Sequence, residues 1–226
     1  ESRITKNQVV VSAFGINAHD VFNKIDQIQI VACGTSYHAG IVAKYWLEDI
    51  ARVPCHIEVA SEYRYRRPII LDKTLFVTIS QSGETADSLE ALKTAKKINS
   101  NIEALCITNS LESSLARISD LTFTTHAGPE IGVASTKAFT SQLVALALLT
   151  CSIGKIKGSI SQAQEKDIIE GLKRLPSLID QTLLQENEIK RLANLFKDKE
   201  SALFLGRGTM HAIALEGALK LKEISY

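Results

Sequence analysis

The sequence predicts an α/β protein: a three-layer αβα sandwich built around a five-stranded parallel sheet. Short apolar runs rich in β-branched residues alternate with longer stretches of helical periodicity along roughly the first 150 residues. These runs seldom alternate apolar with polar residues, which is typical of strands that helices cover on both faces. Small polar turns follow several of the runs directly, as expected where a parallel strand passes into a crossover helix.

Each strand is predicted from an apolar run of four to six residues. The five runs are 28–33, 55–59, 75–79, 102–107 and 121–124. The longest apolar run of the chain, 143–150, is too short to cross a bilayer and predicts a buried helix instead.

Three helices are predicted between or after these strands. The first two span 36–50 and 85–98 and begin at Ser36 and Thr85, hydroxyl residues that we expect to cap them. The third follows Thr136 and is expected to stop at Gly154.

The organisation changes after residue 155. A polar helical stretch covers 161–199, with breaks expected at Gly171 and Pro176. An apolar strand at 202–205 and a long helix then flank a Gly-Thr pair, which repeats the Gly-Thr pair at 34–35 and indicates a duplication. We therefore predict a first domain at 1–155, a helical connection at 156–200 and the truncated start of a second, similar domain at 201–226.

Composition excludes several classes of function. The 26 basic and 25 acidic residues nearly cancel, so the overall charge favours neither nucleic acid nor a membrane surface as a partner. The four cysteines and five histidines show no metal-ligand spacing, and we expect neither a metal nor another cofactor. Scattered cysteines and an amino terminus without an apolar signal segment predict reduced thiols in a cytoplasmic protein.

The run at 75–85 predicts an anion site. Its strand leads into Ser80, Ser82, Gly83 and Thr85, where hydroxyl groups and the first free amides of a helix can bind a phosphate. The nucleotide-binding GxxxxGK[ST] loop is missing, which favours a small phosphorylated metabolite over a nucleoside triphosphate. The simpler alternative is a tight turn in which the glycine relieves strain and the hydroxyls cap the helix.

Two further small-residue turns precede helices, at 33–36 and at 131–135. Ligands of open parallel sheets bind beyond the carboxyl ends of the strands, so the first of these turns is a candidate part of the same site. Either turn alone is equally compatible with a simple helix cap.

Four strings carry a resemblance that covers essentially the whole chain. They are Cys-Gly-Thr-Ser-Tyr at 33–37, Ser-Gln-Ser-Gly-Glu-Thr-Ala-Asp at 80–87, Glu-Ile-Gly-Val-Ala-Ser-Thr-Lys-Ala-Phe-Thr at 130–140 and Ala-Leu-Glu-Gly-Ala-Leu-Lys-Leu-Lys-Glu-Ile-Ser-Tyr at 214–226. Together they resemble the sugar isomerase half of the glucosamine-6-phosphate synthase family, the glutamine:fructose-6-phosphate amidotransferases. The second string alone indicates only the wider sugar isomerase (SIS) class.

The resemblance implies a Rossmann- or flavodoxin-like SIS domain, present twice, in a homodimer. It also implies binding of fructose 6-phosphate and glucosamine 6-phosphate, and a glutaminase domain in the same full-length chain that supplies ammonia. The implied phosphate ligands are Ser36, Ser80, Gln81, Ser82 and Thr85; the implied sugar contacts are Cys33, Gly34, Thr35, Val133 and Ser135.

The resemblance further implies that Glu223 moves a proton between C1 and C2 of the sugar, with Lys220 assisting at the neighbouring oxygen. Positions three apart share one face of a helix, so both side chains can enter one pocket. Spacing alone favours a surface ion pair. Cys33 and His38 suggest a nucleophile and its base, but His38 lies on a helix leading away, and we expect Cys33 to be a packing thiol.

The ring-opening histidine and the Schiff-base lysine that the resemblance implies would lie beyond Tyr226, so we expect this chain alone to lack synthase turnover. Two alternatives stay open. A noncatalytic sugar-phosphate sensor would share the turn at 80–85 without needing Glu223, and a simple phosphosugar isomerase would lack the ammonia chemistry.

Overall fold

A computed structural model describes residues 3–225. Sixteen helices and strands and one 3-10 helix, Val11–Phe14, make up the described fold. In chain order the elements are β1 (Ile4–Thr5), β2 (Gln8–Val9), α1 (Ala18–Lys24), β3 (Gln27–Ala32), α2 (Gly34–Asp49), β4 (Cys55–Val59), α3 (Ala60–Tyr65), β5 (Thr74–Ser80), α4 (Ala86–Ile98), β6 (Glu103–Thr108), α5 (Ser114–Ile118), β7 (Leu121–Thr124), α6 (Lys137–Ile156), α7 (Gln162–Leu183), α8 (Glu186–Phe196) and α9 (Thr209–Ile224).

The central sheet has the order β4-β3-β5-β6-β7, and every neighbouring pair is parallel. The five predicted strands are therefore confirmed, with bounds that move by one or two residues. When only the five strands of this sheet are numbered along the chain, their order is 2-1-3-4-5, the flavodoxin-like arrangement. In this arrangement the order of the strands reverses between β3 and β5, although the two strands are parallel. At such a reversal the crossover helices leave to opposite faces and open a crevice at the carboxyl ends of the two strands.

Two apolar cores lie on the two faces of the sheet, as the predicted three-layer architecture requires. All seven residues of β5 are buried, and they alternate between the cores. Leu75, Val77 and Ile79 pack with α1, α2 and α6, whereas Phe76 packs with α3, α4 and α5. This double burial explains why apolar residues occur on both faces of the strand.

The cap predicted at Ser36 is wrong, and the cap predicted at Thr85 is right in position only. Helix α2 begins at Gly34, two residues earlier than expected, so Ser36 lies inside its first turn. Thr85 is the N-cap residue of α4, but in the described part of the chain neither helix has a side-chain hydrogen bond to its first amides. The hydroxyls of both residues bond to other partners in the site.

Three predicted helix interruptions are also wrong. Gly154 does not stop α6, which continues to Ile156 with Gly154 buried against Ala51. Helix α7 passes through both Gly171 and Pro176. Packing of apolar side chains such as Leu172 on the core outweighs the single hydrogen bond that a proline removes.

The predicted strand at 202–205 is not a strand. Leu203 and Leu205 are 88% and 87% exposed, and no neighbouring strand pairs with this segment within residues 3–225. A strand needs a hydrogen-bonded partner, which sequence propensity cannot supply. The helix predicted after it is present as α9.

Helix α6 is the one helix of the described chain that is long and apolar enough to cross a membrane, yet 56% of its apolar stretch is buried inside the protein. Leu146, Leu149 and Ile153 lie in the core between α1 and α2. Its length and composition therefore reflect a core helix, as predicted for 143–150.

Candidate functional site

Two turns meet at the carboxyl ends of β3 and β5, where the sheet order reverses. The turn after β3 leads through Cys33 directly into α2, and Gly34 adopts a positive φ of 52°. The turn after β5 spans 81–85 and leads into α4. The structure thus brings together two of the three turns that the sequence singles out.

The turn at 81–85 is held by its own hydroxyl groups. The Ser80 Oγ accepts a hydrogen bond from the Gly83 amide at 3.0 Å and lies 2.8 Å from the Thr85 Oγ1. The Ser82 Oγ accepts from the Glu84 amide at 3.1 Å, while the Ser82 side chain stays exposed. The exposed hydroxyl hydrogen of Ser82 remains available for a bound anion.

The amino end of α4 favours negative charge. It has no side-chain cap among the described residues, so its first amides face the turn with the positive end of the helix dipole. One acidic residue, Asp87, lies in this first turn, but Arg64 of α3 donates a hydrogen bond to its carboxylate at 3.0 Å. This ion pair offsets the repulsion that Asp87 would exert on an anion.

Ser36 is oriented from a distant helix. Its Oγ accepts a hydrogen bond from the Gln142 Nε2 of α6 at 3.0 Å, and both residues are buried. Because the oxygen already accepts, the hydroxyl hydrogen is free to be donated elsewhere. Gln142 was missed by the sequence reasoning, since nothing in its local pattern marks it as a partner of α2.

Helix α9 packs on α2 and brings a row of charged residues to the first turn of α2. The Thr35 Oγ1 donates to the Glu216 Oε1 at 2.9 Å and accepts from the Lys220 Nζ at 3.0 Å. His38 Nδ1 lies 2.7 Å from the other oxygen of Glu216. The sequence reasoning did not single out Glu216, although its spacing from Lys220 and Glu223 places all three on one helix face.

The pair of Lys220 and Glu223 is not an isolated surface ion pair. Lys220 Nζ lies 2.6 Å from the Glu223 Oε2 and 3.3 Å from the Glu216 Oε1. The side chains of Lys220 and Glu223 are only 20% and 28% exposed. Within residues 3–225 the Glu223 Oε2 is buried and makes no well-aligned hydrogen bond, despite the short contact with Lys220. Glu223 is therefore the charged partner of Lys220, and its side chain stays partly open to solvent.

The pKa of Glu216 is lowered by its surroundings. Burial alone would raise it, but hydrogen bonds from His38 and Thr35, together with the charge and hydrogen bond of Lys220, outweigh that effect. Glu216 is therefore an ionised carboxylate at neutral pH.

Cys33 has the properties of a packing thiol rather than a nucleophile. Burial raises the pKa of its thiol, which disfavours the reactive thiolate. The nearby His38 bonds to Glu216 instead of serving as a base for Cys33.

The third turn is more exposed than the other two. Val133 is 88% exposed, and no hydrogen bond connects Val133 or Ser135 to the turns after β3 and β5 in the described part of the chain. The segment is anchored at its ends by Glu130, whose carboxylate accepts from the amides of Thr136 and Ala138 at 3.2 and 3.1 Å. Burial opposes ionisation of Glu130, but these hydrogen bonds outweigh it and lower its pKa.

The site is an open edge of the sheet. The apolar grooves of about 530 and 640 Å³ lie against α7 and α8, and residues of the two turns do not line them. The two turns offer hydroxyl groups and helix amides instead of an apolar groove, an arrangement suited to a phosphate group.

Comparison with known proteins agrees with this architecture. The SIS domain family matches residues 21–152, which is more than half of the chain. The chain is 56% identical over 226 residues to the glutamine–fructose-6-phosphate aminotransferase (isomerizing) of Pseudomonas syringae pathovar tomato, and 55% identical to that of Pseudomonas putida. All of this chain is aligned in both cases, but it spans only 37% of the length of these curated relatives.

A solved structure shows the same fold. It is the C-terminal domain of glucosamine-fructose-6-phosphate aminotransferase from Francisella tularensis, with a TM-score of 0.96 and 51% identity, covering 100% of this chain and 63% of that one. The parallel sheet, its switch point and the sequence match over 21–152 lead to one conclusion. The chain belongs to the SIS domain family.

Proposed function

We propose that this chain is part of the isomerase half of a glutamine:fructose-6-phosphate aminotransferase. In the full-length protein it binds fructose 6-phosphate and converts it, with ammonia from glutamine, to glucosamine 6-phosphate for hexosamine synthesis. One observation carries the proposal: the turn at 80–85 and the charged row on α9 flank the amino end of the same helix, α2, in a chain that is 56% identical throughout to such an aminotransferase.

The phosphate is assigned to the turn after β5 and to the first turn of α2. Ser80, Ser82 and Thr85 supply hydroxyls, Gln81 supplies an amide, and the uncapped end of α4 supplies backbone donors. Ser36 adds a hydroxyl whose hydrogen Gln142 leaves free. The sugar then lies toward Cys33, Gly34 and Thr35, with Val133 and Ser135 reaching it from the third turn.

The proton transfer is assigned to Glu223. Converting a fructose imine into an aldose amine requires a base that takes the proton from C1 and returns it to C2, and Glu223 is a carboxylate that stays 28% exposed beside Lys220. The Lys220 ammonium beside it stabilises negative charge that develops on the neighbouring oxygen. An ordered acid and base of this kind favours an enzyme over a noncatalytic sensor.

The same proposal extends to organisation. Residues 1–155 form the first SIS domain, 156–200 a helical connection and 201–226 the start of a second SIS domain, in a protein that also carries a glutaminase domain. Since the chain spans 37% of its relatives, those further domains have room in the full-length protein. Exposed apolar residues on α8 and after it, such as Phe196 at 59% and Leu203 at 88%, support contact with further protein, including a second copy in a homodimer.

A cytoplasmic location is part of the proposal. Its support is the state of the cysteines, since Cys33, Cys55, Cys106 and Cys151 are all free thiols.

A calorimetric titration of the full-length protein with fructose 6-phosphate tests the phosphate assignment. Replacing Ser82 by Ala removes one charge-assisted hydrogen bond, and we expect binding to weaken by about 1.5–3 kcal/mol. The matched control is Ser177→Ala, which alters an exposed serine of α7 and should leave the affinity unchanged. Equal affinities of the wild type and Ser82→Ala would place the phosphate elsewhere, and the absence of wild-type binding would refute the substrate.

A further inference from the structure

The segment after β6 is bonded to the turn at 81–85 through backbone groups. The Asn109 amide donates to the Gln81 carbonyl at 3.0 Å, which extends the pairing of β5 with β6 past the ends of both strands. Farther along, the Leu115 amide donates to the Gly83 carbonyl at 3.0 Å. Because these bonds join main-chain atoms, they do not depend on the side chain of Asn109.

The side chain of Asn109 bonds to the segment on the other side of β6, which follows β7. Its Oδ1 accepts from the Ala127 amide at 2.7 Å and from the Thr125 Oγ1 at 3.2 Å, and its Nδ2 donates to the Gly128 carbonyl at 2.9 Å. A backbone amide only donates and a carbonyl only accepts, so these partners fix the orientation of the side-chain amide. Aspartate, which has the same shape, would lack the donor.

The segment held by this side chain has an uncommon backbone conformation. His126 and Gly128 have φ values of +52° and +72°, in the left-handed region that a residue such as histidine seldom adopts. Such a conformation persists only where surrounding contacts maintain it. Here the contacts include the side chain of Asn109 and the bond from the Thr125 amide to the Thr108 carbonyl at 2.8 Å.

The third turn, 131–135, continues from this segment. Its far end is attached to α6, where the Glu130 carboxylate accepts from the amides of Thr136 and Ala138. Its near end follows Gly128, which the Asn109 side chain holds. The third turn therefore has two anchors, and the anchor at Asn109 is also bonded to the turn at 81–85.

We propose that Asn109 is a positioning residue that joins the third turn to the turn at 81–85 and so sets the separation of the two. The inference rests on the proposed function, in which the turn at 81–85 binds the phosphate and the third turn reaches the sugar. In this role Asn109 acts through the two turns rather than through the substrate. Its backbone serves one turn and its side chain the other, so a substitution separates the two contributions.

The binding test uses Asn109→Ala, which removes three side-chain hydrogen bonds and retains the backbone bond to Gln81. The full-length protein is titrated calorimetrically with fructose 6-phosphate, without glutamine, and separately with inorganic phosphate. We expect the Kd for fructose 6-phosphate to rise roughly 3- to 10-fold, as for one lost hydrogen bond to the sugar, and the Kd for inorganic phosphate to stay within about twofold. An unchanged Kd for fructose 6-phosphate, or an equal rise for both ligands, would overturn the inference.

Asn99→Ala is the matched control. The Asn99 side chain also ties a loop through both of its polar atoms, because it donates to the Asp72 carboxylate at 3.0 Å and accepts from the Asn101 amide at 2.9 Å. It precedes β6 and so lies at the opposite edge of the sheet from the turns. We expect the ratio of the two Kd values to match the wild type in this variant. The same change of ratio in both variants would mean general loosening of the fold and would contradict a positioning role.

Hydrogen exchange read by mass spectrometry provides a measurement that needs no ligand. It follows the Ala127 amide, which bonds directly to the Asn109 side chain. We expect exchange at 126–128 to be faster in Asn109→Ala of the full-length protein, while exchange within β6 stays unchanged. Thr125→Val removes a single donor to Asn109 and should give a smaller increase, so it replaces Asn109→Ala if that variant does not fold.

The two measurements distinguish the inference from the function on which it rests. Unchanged exchange at 126–128 in the folded variant would refute the positioning role whatever the ligand. A wild-type protein that does not bind fructose 6-phosphate would refute only the proposed function, and the exchange rates would then decide whether Asn109 holds the segment.

Discussion

Gly83 shapes the turn that leads from the central strand into α4. Its φ is +69°, a left-handed conformation that residues with a side chain rarely adopt. A Cβ at this position would lie 2.0 Å from the Ser113 Oγ and 2.4 Å from its Cβ. Ser113 is itself fixed, because its Oγ accepts the Ala116 amide at the start of α5. The turn is therefore constrained both by backbone conformation and by close packing.

We expect Gly83→Ala to destabilise the protein by about 1–2 kcal/mol for the left-handed conformation and a further 1–3 kcal/mol or so for overpacking. The control is Gly158→Ala, where φ is +71° but no heavy atom lies within 4 Å of the added Cβ. Urea denaturation of both variants isolates the packing contribution as the difference between them. Equal losses of stability would mean that Ser113 moves aside freely.

Glu223 offers a second test at the scale of one residue. Replacing it by Gln retains the size of the side chain but removes the base, so we expect kcat for glucosamine 6-phosphate formation to fall about 10²- to 10⁴-fold. Fructose 6-phosphate should still bind with near wild-type affinity, because the phosphate contacts lie on other elements. The measurement is steady-state kinetics paired with calorimetry on the full-length protein, and turnover close to the wild-type rate would assign the base elsewhere.

At the scale of elements, the docking of α9 on α2 depends on the ionised state of Glu216. The hydrogen bonds from His38 and Thr35 lie across this helix pair, and they are strongest when the carboxylate is charged. The pKa of Glu216 is lowered in the folded protein, burial notwithstanding. Its contribution to docking is therefore complete above the pKa of an unfolded glutamate, about 4.3, and is lost as the pH falls through the lower folded value.

Hydrogen exchange of α9 at pH values from about 7 down to about 3 measures this dependence, after correction for intrinsic exchange rates. We expect protection of α9 to be constant near neutral pH and to fall in the acid range, while β5, buried at all seven positions, stays protected longer. In Glu216→Gln, protection of α9 should be low already at neutral pH. An identical pH course in both proteins would show that another group controls the docking.

At the scale of the whole molecule, the sequence predicts those strands and turns that depend only on residues close together in the chain. The run 75–79 is mostly apolar because both of its faces are covered, and this pattern identifies a central strand without any knowledge of its neighbours. The turn at 80–85 was likewise recognisable, because hydroxyls, a glycine and a following helix form one continuous local pattern.

What depends on distant segments could not be predicted. Ser36 was expected to cap a helix, but Gln142, 106 residues away, holds it in the interior. The segment 202–205 has the composition of a strand and lacks a partner among the described residues. Glu216 is joined to Thr35 and His38 only through the packing of α9 on α2. The sequence of α9 alone does not distinguish Glu216 from an ordinary i,i+4 partner of Lys220.

The contact between Thr35 and Glu216 spans 181 positions of the chain. During translation at roughly 5–20 residues per second, the ribosome completes the strands of the sheet on the order of ten seconds before it releases α9. A sheet that folds on the ribosome would therefore stand for that time with the first turn of α2 uncovered by α9. The turns to which the phosphate is assigned are thus synthesised before Glu216, Lys220 and Glu223, the charged residues of α9.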